Sequence, residues 1–299
     1  MVFLVGIAAA LSLGLGYVLQ QRVASTAPLS EVLRFRLLFD LMHRPLWWAG
    51  IGAMVAGELL AGLALQLATV AVVEPLLSTN LLFALAFAAT LSRVRIHWTE
   101  VSGAVLLSAA LGVFIAVGNP HSSPRPDPNN AVITFAVCAV AGAVAIMVMF
   151  SLRRGLVRES ILLATGAGTL YGLQDAGTRA ALLLADHEGV TAMFVNPWIY
   201  IVIGAAVFGI LLSQSAFKAA RLDYSLPPIA AAEPIVGIAL GVTLLGDVVS
   251  VTLLGLIVES ICLVAMVAGV ALIGRSSNLA AGGCAVVVSP VPGERAGSP

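Results

Sequence analysis

The feature that most limits this chain is a succession of apolar stretches, each about as long as a bilayer is thick, joined by short polar links. A helix that crosses the hydrocarbon core needs roughly 20 mostly apolar residues. Nine stretches meet that requirement, at 2–19, 47–67, 69–91, 101–118, 131–150, 160–184, 197–216, 225–246 and 250–273. Of the 299 residues 60% are apolar and 10% charged, where a soluble domain carries about 25% charge. No water-soluble fold of this size hides that much apolar surface. The sequence predicts an all-α, polytopic membrane protein with nine transmembrane helices.

The links carry the charge that orients it. Lys and Arg number four in 20–46, two in 92–100, three in 151–159 and two in 217–224, with Arg275 and Arg295 in the tail. The alternate links hold only Arg125, in 119–130, and none in 185–196, in 247–249 or at the turn near 68. Basic residues accumulate on the cytoplasmic side. The N-terminus is therefore expected outside and the C-terminus in the cytoplasm, for a multi-pass protein of the plasma membrane. One missed span would break the alternation, so the loop charges also support the span count. Link 20–46 is too charged to cross, and its Leu29, Val32, Leu33, Leu37, Leu38 and Leu41 recur at helical spacing. It is expected to lie on the membrane as a cytoplasmic amphipathic helix. Residues 1–19 lack a basic start before Arg22, so they are taken as a retained span rather than a cleaved leader. The Gly/Pro/Ser-rich segment 275–299 is expected to be a disordered cytoplasmic tail.

Several classes of function fall away. Lys+Arg and Asp+Glu are balanced at 15 each, so no basic field recruits nucleic acid. Cys138, Cys262 and Cys284 lie far apart and build neither a disulfide framework nor a zinc site. The four histidines, His43, His97, His121 and His187, are all in links, and there is no phosphate-binding loop. No enzyme activity and no cofactor are expected; the partners are the lipid bilayer and a small-molecule or cation substrate.

An internal repeat is visible. Glu74-Pro75 opens the third span and Glu233-Pro234 lies early in the eighth, with Val70 to Leu76 matching Ala230 to Ile235. Each is followed by one more span ending in an apolar run and Gly, Gly112 to Gly118 and Gly269 to Gly274. The copies stand five spans apart, and an odd offset inverts their orientation. Inverted repeats are the architecture of secondary transporters that work by alternating access. The expected organisation is a first half at 1–118 (four spans and the amphipathic helix), an external linker at 119–130, a second half at 131–274 and the tail.

Glu233-Pro234, Leu245-Gly246-Asp247, Gly255 and Gly269-Val270 together resemble the C-terminal signature of the drug/metabolite transporter superfamily with EamA-like domains, with Asp247 at the place of the usual Glu. That family has ten spans in two five-helix halves. The resemblance implies that link 20–46 stands in for the second helix. Nine spans with an outside N-terminus, and Leu67-Ala68 through Glu74-Pro75-Leu76, are similar to the NIPA-type magnesium-transporter branch.

Charged side chains at membrane depth cost about 2.5–3.5 kcal/mol each on insertion scales, and they mark function by default. The spans contain Glu58, Glu74, Asp175, Arg179, Glu233 and Glu259, five acids and one base. Asp175 and Arg179 are four apart and share a helix face, so they can pair. The glutamates have no base in their own spans and call for a proton, a metal ion or a cationic solute; as interhelix hydrogen bonds they would be purely structural. Pro75 and Pro234 withdraw donors from the carbonyls of Ala71 and Ala230, breaking the helix ladder beside a carboxylate. Glu74 and Glu233 are therefore the candidate metal ligands. Tyr171, Gln174 and Asp175 share a face of the sixth span and line the expected path. Tyr17, Gln20, Gln66, Ser78, Asn80 and Gln214 are further lining candidates. Gly168/Gly172 and Gly237/Gly241 permit close helix approach, within the monomer or in a homodimer. Three functions compete: a carrier of a small cationic or proton-coupled solute, a Mg²⁺ transporter built on the same acids, and a non-transporting membrane scaffold.

Overall fold

The computed structural model describes residues 1–27, 32–67, 76–77, 79–92, 98–118, 130–152, 155–189, 191, 194, 196–246 and 253–284. Among them there is no strand; they form helices with a few turn residues between them. In chain order the helices are α1 (Val2–Ala24), α2 (Phe35–Met42), α3 (Pro45–Leu67), α4 (Asn80–Ser92), α5 (Trp98–Gly118), α6 (Asn130–Ser151), α7 (Leu156–Glu188), α8 (Pro197–Ala219), α9 (Leu222–Leu240) and α10 (Leu253–Cys284).

Among the described residues six helices are long and apolar enough to cross a membrane: Val2–Ala24, Pro45–Ala64, Trp98–Val117, Ala131–Ser151, Pro197–Ala219 and Leu222–Leu245. The apolar stretches Asn80–Leu91 and Ile257–Leu272 are shorter. The remaining expected span, 160–184, lies within the 33 residues of α7, which also carry Arg158, Glu159, Asp175, Arg179, Asp186 and Glu188. The chain is a polytopic membrane protein.

Four elements depart from the sequence expectation. α1 runs on through Gln20, Gln21 and Arg22 to Ala24, and α2 holds only eight of the residues between 20 and 46. α9 passes through Pro227, Pro228 and Pro234 without ending. The ladder changes instead at Gly241–Leu245, a single π-helical turn closed by Gly246 in the left-handed region at φ +69°. Such turns sit within α-helices and recur at functional sites. α10 continues past Gly274 to Cys284.

Packing is pairwise. α1 lies against α3 and α4; α7 lies against α8 and α9; α5 pairs with α10, and α6 leans on α7. In lipid, apolar burial does not drive helices together, so close backbone approach through small residues does the holding. An added Cβ at Gly172 would fall 2.6 Å from the Glu233 carbonyl oxygen and 2.8 Å from the Gly237 nitrogen. At Gly14 it would fall 2.8 Å from the Asn80 carbonyl oxygen. Hydroxyls tie the pairs across: Ser12 donates to the Ala53 carbonyl (2.8 Å) and Ser160 to that of Ala216 (2.9 Å). α8 starts on a side-chain cap, with Asn196 Oδ1 accepting from the Trp198 amide ahead of Pro197.

Candidate functional site

The expected site residues come from helices that the packing brings to one place. Tyr17 of α1 is the centre. The carboxyl groups of Glu58 (α3), Asp175 (α7) and Glu233 (α9) and the phenol of Tyr171 (α7) all lie within electrostatic reach of its hydroxyl. Tyr171 is likewise within reach of Glu233. Three acids that are 58 residues or more apart in sequence are thus within electrostatic reach of Tyr17, and one of them, Glu233, of Tyr171 as well.

Each tyrosine is positioned by α8. The Tyr171 hydroxyl and Ser213 Oγ are 2.9 Å apart, and Ser213 also donates to the Ile210 carbonyl at 3.0 Å. The Tyr171 ring lies where a side chain at residue 209 would be: a Cβ on Gly209 would meet its Cε1 at 2.7 Å. Tyr17 sets its ring edge-on to Phe217, with centroids 6.4 Å apart. Glu58 and Asp175 are exposed, while Tyr17, Tyr171, Gln174 and Glu233 are half-buried.

A buried amide chain adjoins Tyr17 on the side toward the C-terminus of α1. Gln214 (α8) donates through Nε2 to Gln20 Oε1 (α1), and Gln20 donates through Nε2 to Met54 sulfur at 2.8 Å (α3). Gln20 is 4% and Gln214 0% exposed, and Gln214 Oε1 has no hydrogen-bond partner among the described residues. Just beyond it, the Leu33 amide donates to Ser215 Oγ (3.0 Å) and Lys218 Nζ to the Ser25 carbonyl (2.8 Å).

The other expected residues stand apart from this cluster or outside the described residues. Glu259, on α10, has a buried Oε1 with no hydrogen-bond partner among the described residues. Its nearest marked charge effect falls on Cys262, one turn along. Asn80 has a buried Oδ1 without a partner among the described residues. Arg179 is half-buried, one turn from Asp175. Glu74, Pro75 and Ser78 lie outside the described residues, as does the side chain of Gln66. Among the described residues no three His, Cys, Asp or Glu side chains stand close enough to hold one metal ion.

The packing brings out two matches that the Glu-Pro motif leaves unseen. Gly14, Tyr17, Leu19 and Gln20 of α1 recur at the same spacing as Gly168, Tyr171, Leu173 and Gln174 of α7. Gly52, Ala53, Val55, Gly57, Leu59 and Leu60 of α3 recur as Gly204, Ala205, Val207, Gly209, Leu211 and Leu212 of α8. α1 packs on α3 as α7 packs on α8. Tyr17 was therefore legible as the counterpart of Tyr171. Two buried acids at helix starts also escape an apolar-length reading: Glu100 in the first turn of α5 and Asp223 in that of α9, 3.3 Å from Arg221 Nε.

No family model matches the chain, and no solved structure matches it. A protein of Corynebacterium glutamicum, described as uncharacterized, is 32% identical over 240 residues, spanning 80% of this chain and 82% of its own length.

Proposed function

This chain belongs to the family of that uncharacterized Corynebacterium glutamicum protein, and we propose from its own residues that it is a secondary transporter of drug/metabolite type. It carries a small cationic or proton-coupled solute across the plasma membrane by alternating access. The observation that carries this reading is the convergence of Glu58, Asp175 and Glu233, from three helices, on Tyr17. Acids are expensive at membrane depth, and three of them within electrostatic reach of one tyrosine favour a ligand that brings positive charge.

The helix pairing supports an inverted repeat. α1 with α3 and α4 corresponds to α7 with α8 and α9, while α5 and α10 pair with each other. On this match α6 is the helix without a counterpart among the described helices. Helix directions support the nine-span path. α1 and α8 bring their C-termini together, through Gln20–Gln214 and Ser25–Lys218, as two odd-numbered spans must. With the N-terminus outside, that end faces the cytoplasm.

A directly ligated Mg²⁺ wants near-ideal octahedral geometry. The test is charge movement in proteoliposomes, recorded on a solid-supported membrane while primary amines, quaternary amines and Mg²⁺ are applied in turn. An amine-evoked current lost in Glu233→Gln supports the proposal. A current evoked by Mg²⁺ alone moves the reading to the divalent carrier. Silence to every probe, together with thiol-inert cysteines placed at positions 58, 233 and 259, favours a scaffold.

A further inference from the structure

α2 carries three rows of side chains. Leu37 and Leu41 face inward, 0% and 2% exposed, on a helix packed against α8 and α3. Phe35, Phe39 and Met42, one helical turn apart, are turned outward at 47%, 62% and 45% exposure. Arg36, Asp40 and His43 form the third row, with Arg36 Nε 4.0 Å from Asp40. A helix with one apolar row in the protein, a second apolar row uncovered and a third row charged is built for an interface between lipid and water.

Its depth identifies the occupant of the uncovered row. The Leu33 amide bonds Ser215, and the Phe35 ring packs edge-on against Phe208 with centroids 5.8 Å apart. Ser215 and Phe208 precede the end of α8 by four and 11 residues, or roughly 6 and 16 Å at 1.5 Å per residue. The N-terminal half of α2 thus lies alongside the last turns of a helix apolar enough to cross a bilayer. At its other end the exposed Trp48 packs edge to face on the buried Trp47 at 5.1 Å, and Trp48 Nε1 donates to the Met42 carbonyl. An exposed indole such as that of Trp48 belongs at the membrane–water boundary.

The charge names the lipid. Around α2 stand Arg22, Arg34, Arg36, His43 and Arg44, all exposed, against Asp40; Glu31, in the same link, is the second acid. A cavity of about 210 Å³ opens beside the helix between Thr26, Ala27, Asp40, Leu41, His43 and Arg44. Arginines at this level reach phosphates by extending along their apolar stems. We propose that α2 is a binding element for acidic phospholipids. Phe35, Phe39 and Met42 sit among acyl chains, while Arg34, Arg36 and Arg44 take the phosphodiesters. The bound lipid holds α2 against α8, and with it the Leu33–Ser215 contact next to the Gln20–Gln214 pair. The lipid contact stands on the helix itself; only its assignment to the cytoplasmic leaflet rests on the orientation proposed above.

The full chain, with Cys138, Cys262 and Cys284 replaced by Ala, is spin-labelled at Phe39→Cys or at Asp40→Cys and placed in nanodiscs. The discs are made of phosphatidylcholine alone or of phosphatidylcholine with phosphatidylglycerol. The label at 39 is expected to be relaxed by oxygen and shielded from a water-soluble nickel chelate, with the reverse at 40. Equal access of nickel to both overturns the apolar half of the proposal. Amide exchange across residues 34–44 is expected to slow when phosphatidylglycerol is present, and each Arg→Gln change at 34, 36 or 44 should return about fivefold of that protection. Exchange that ignores phosphatidylglycerol, or a slowing reproduced by inorganic phosphate in plain phosphatidylcholine discs, overturns the lipid half. The exchange readout needs no transport activity, so it can fail while the transport reading stands, and the reverse.

Discussion

The Gln20–Gln214 pair permits an unusually asymmetric test. Gln214 is fully buried and gives its only recorded bond to Gln20, while its own Oε1 has no partner among the described residues. Gln20→Leu removes the acceptor and strands both ends of the Gln214 amide. Orphaning a buried polar group costs about 1–3 kcal/mol, and bonds between membrane helices fall at the lower end, averaging about 0.6 and reaching about 1.7 kcal/mol. The lost bond to Met54 adds little, because a thioether is a weak acceptor. The expected loss is about 1–2 kcal/mol. Gln214→Leu acts differently. It deletes an acceptor that is already unsatisfied and leaves Gln20 Oε1 unsatisfied in its place, so one orphan replaces another and the net change is near zero. In the double variant both amides are gone, and stability returns to within about 0.5 kcal/mol of the parent, a coupling of 1 kcal/mol or more between the sites. Reversible unfolding in mixed micelles, driven by a rising dodecyl sulfate fraction and followed by circular dichroism, measures all three. Equal losses in the two single variants, or losses that add in the double, would refute the reasoning. Because the pair joins α1 to α8, Gln20→Leu should also raise the reactivity of a cysteine at position 17 toward polar thiol reagents applied from the side of the α1 C-terminus.

Two further outcomes follow from the packing. Gly172→Ala places a methyl 2.6 Å from the Glu233 carbonyl oxygen, whereas a Cβ at Gly204 meets nothing within 4 Å; the first should lose about 1–3 kcal/mol in the same unfolding assay and the second less than about 0.5. Leu37→Ala empties a site that is 0% exposed beneath α2 at a cost of about 2 kcal/mol or more, and should speed tryptic cleavage at Arg34 and Arg36, where Phe39→Ala in detergent should not.

The six spans of membrane length were legible because a membrane helix satisfies its backbone internally and announces itself by apolar length. α7 was legible only by tolerating charge, since Asp175 and Arg179 interrupt its apolar run. The C-terminal extension of α1 was not, because Gln20 and Arg22 look like the start of a polar link. What keeps Gln20 inside the bundle is Gln214, 194 residues away, and no local pattern encodes that. The eight-residue length of α2 was hidden for a similar reason: Leu29 and Val32 continue its spacing, yet the helix begins only where Leu33 and Phe35 meet α8. For the candidate site, Glu58, Asp175 and Glu233 could be picked out one by one as costly acids. Their convergence could not, and neither could Tyr17 as its centre, because the Tyr-x-x-Gln spacing is two residues set in apolar filler. It gains meaning once α1 and α7 are seen to hold the same place against α3 and α8.

That equivalence also exposes a difference between the halves. Gln20 is locked to Gln214, but its counterpart Gln174 is half-buried and makes no side-chain hydrogen bond among the described residues. On the transport reading, equivalent residues exchange roles when the halves rock. Gln174 would then look for its amide at the α3 position matching Gln214, and that position is Gly62, with open space around it. On that reading the two ends of the pathway cannot close alike. The end at the α1 C-terminus is held by a buried amide pair, while the opposite end must close by backbone approach at Gly62 or through another donor. Gln174→Leu should accordingly leave the unfolding midpoint of this conformation unchanged, where Gln20→Leu lowers it. Gly62→Leu should block closure at the far end, keeping a cysteine at position 58 reactive to polar thiol reagents from that side under every condition; a Gly62→Leu protein that still shields position 58 would show that the far gate is built elsewhere.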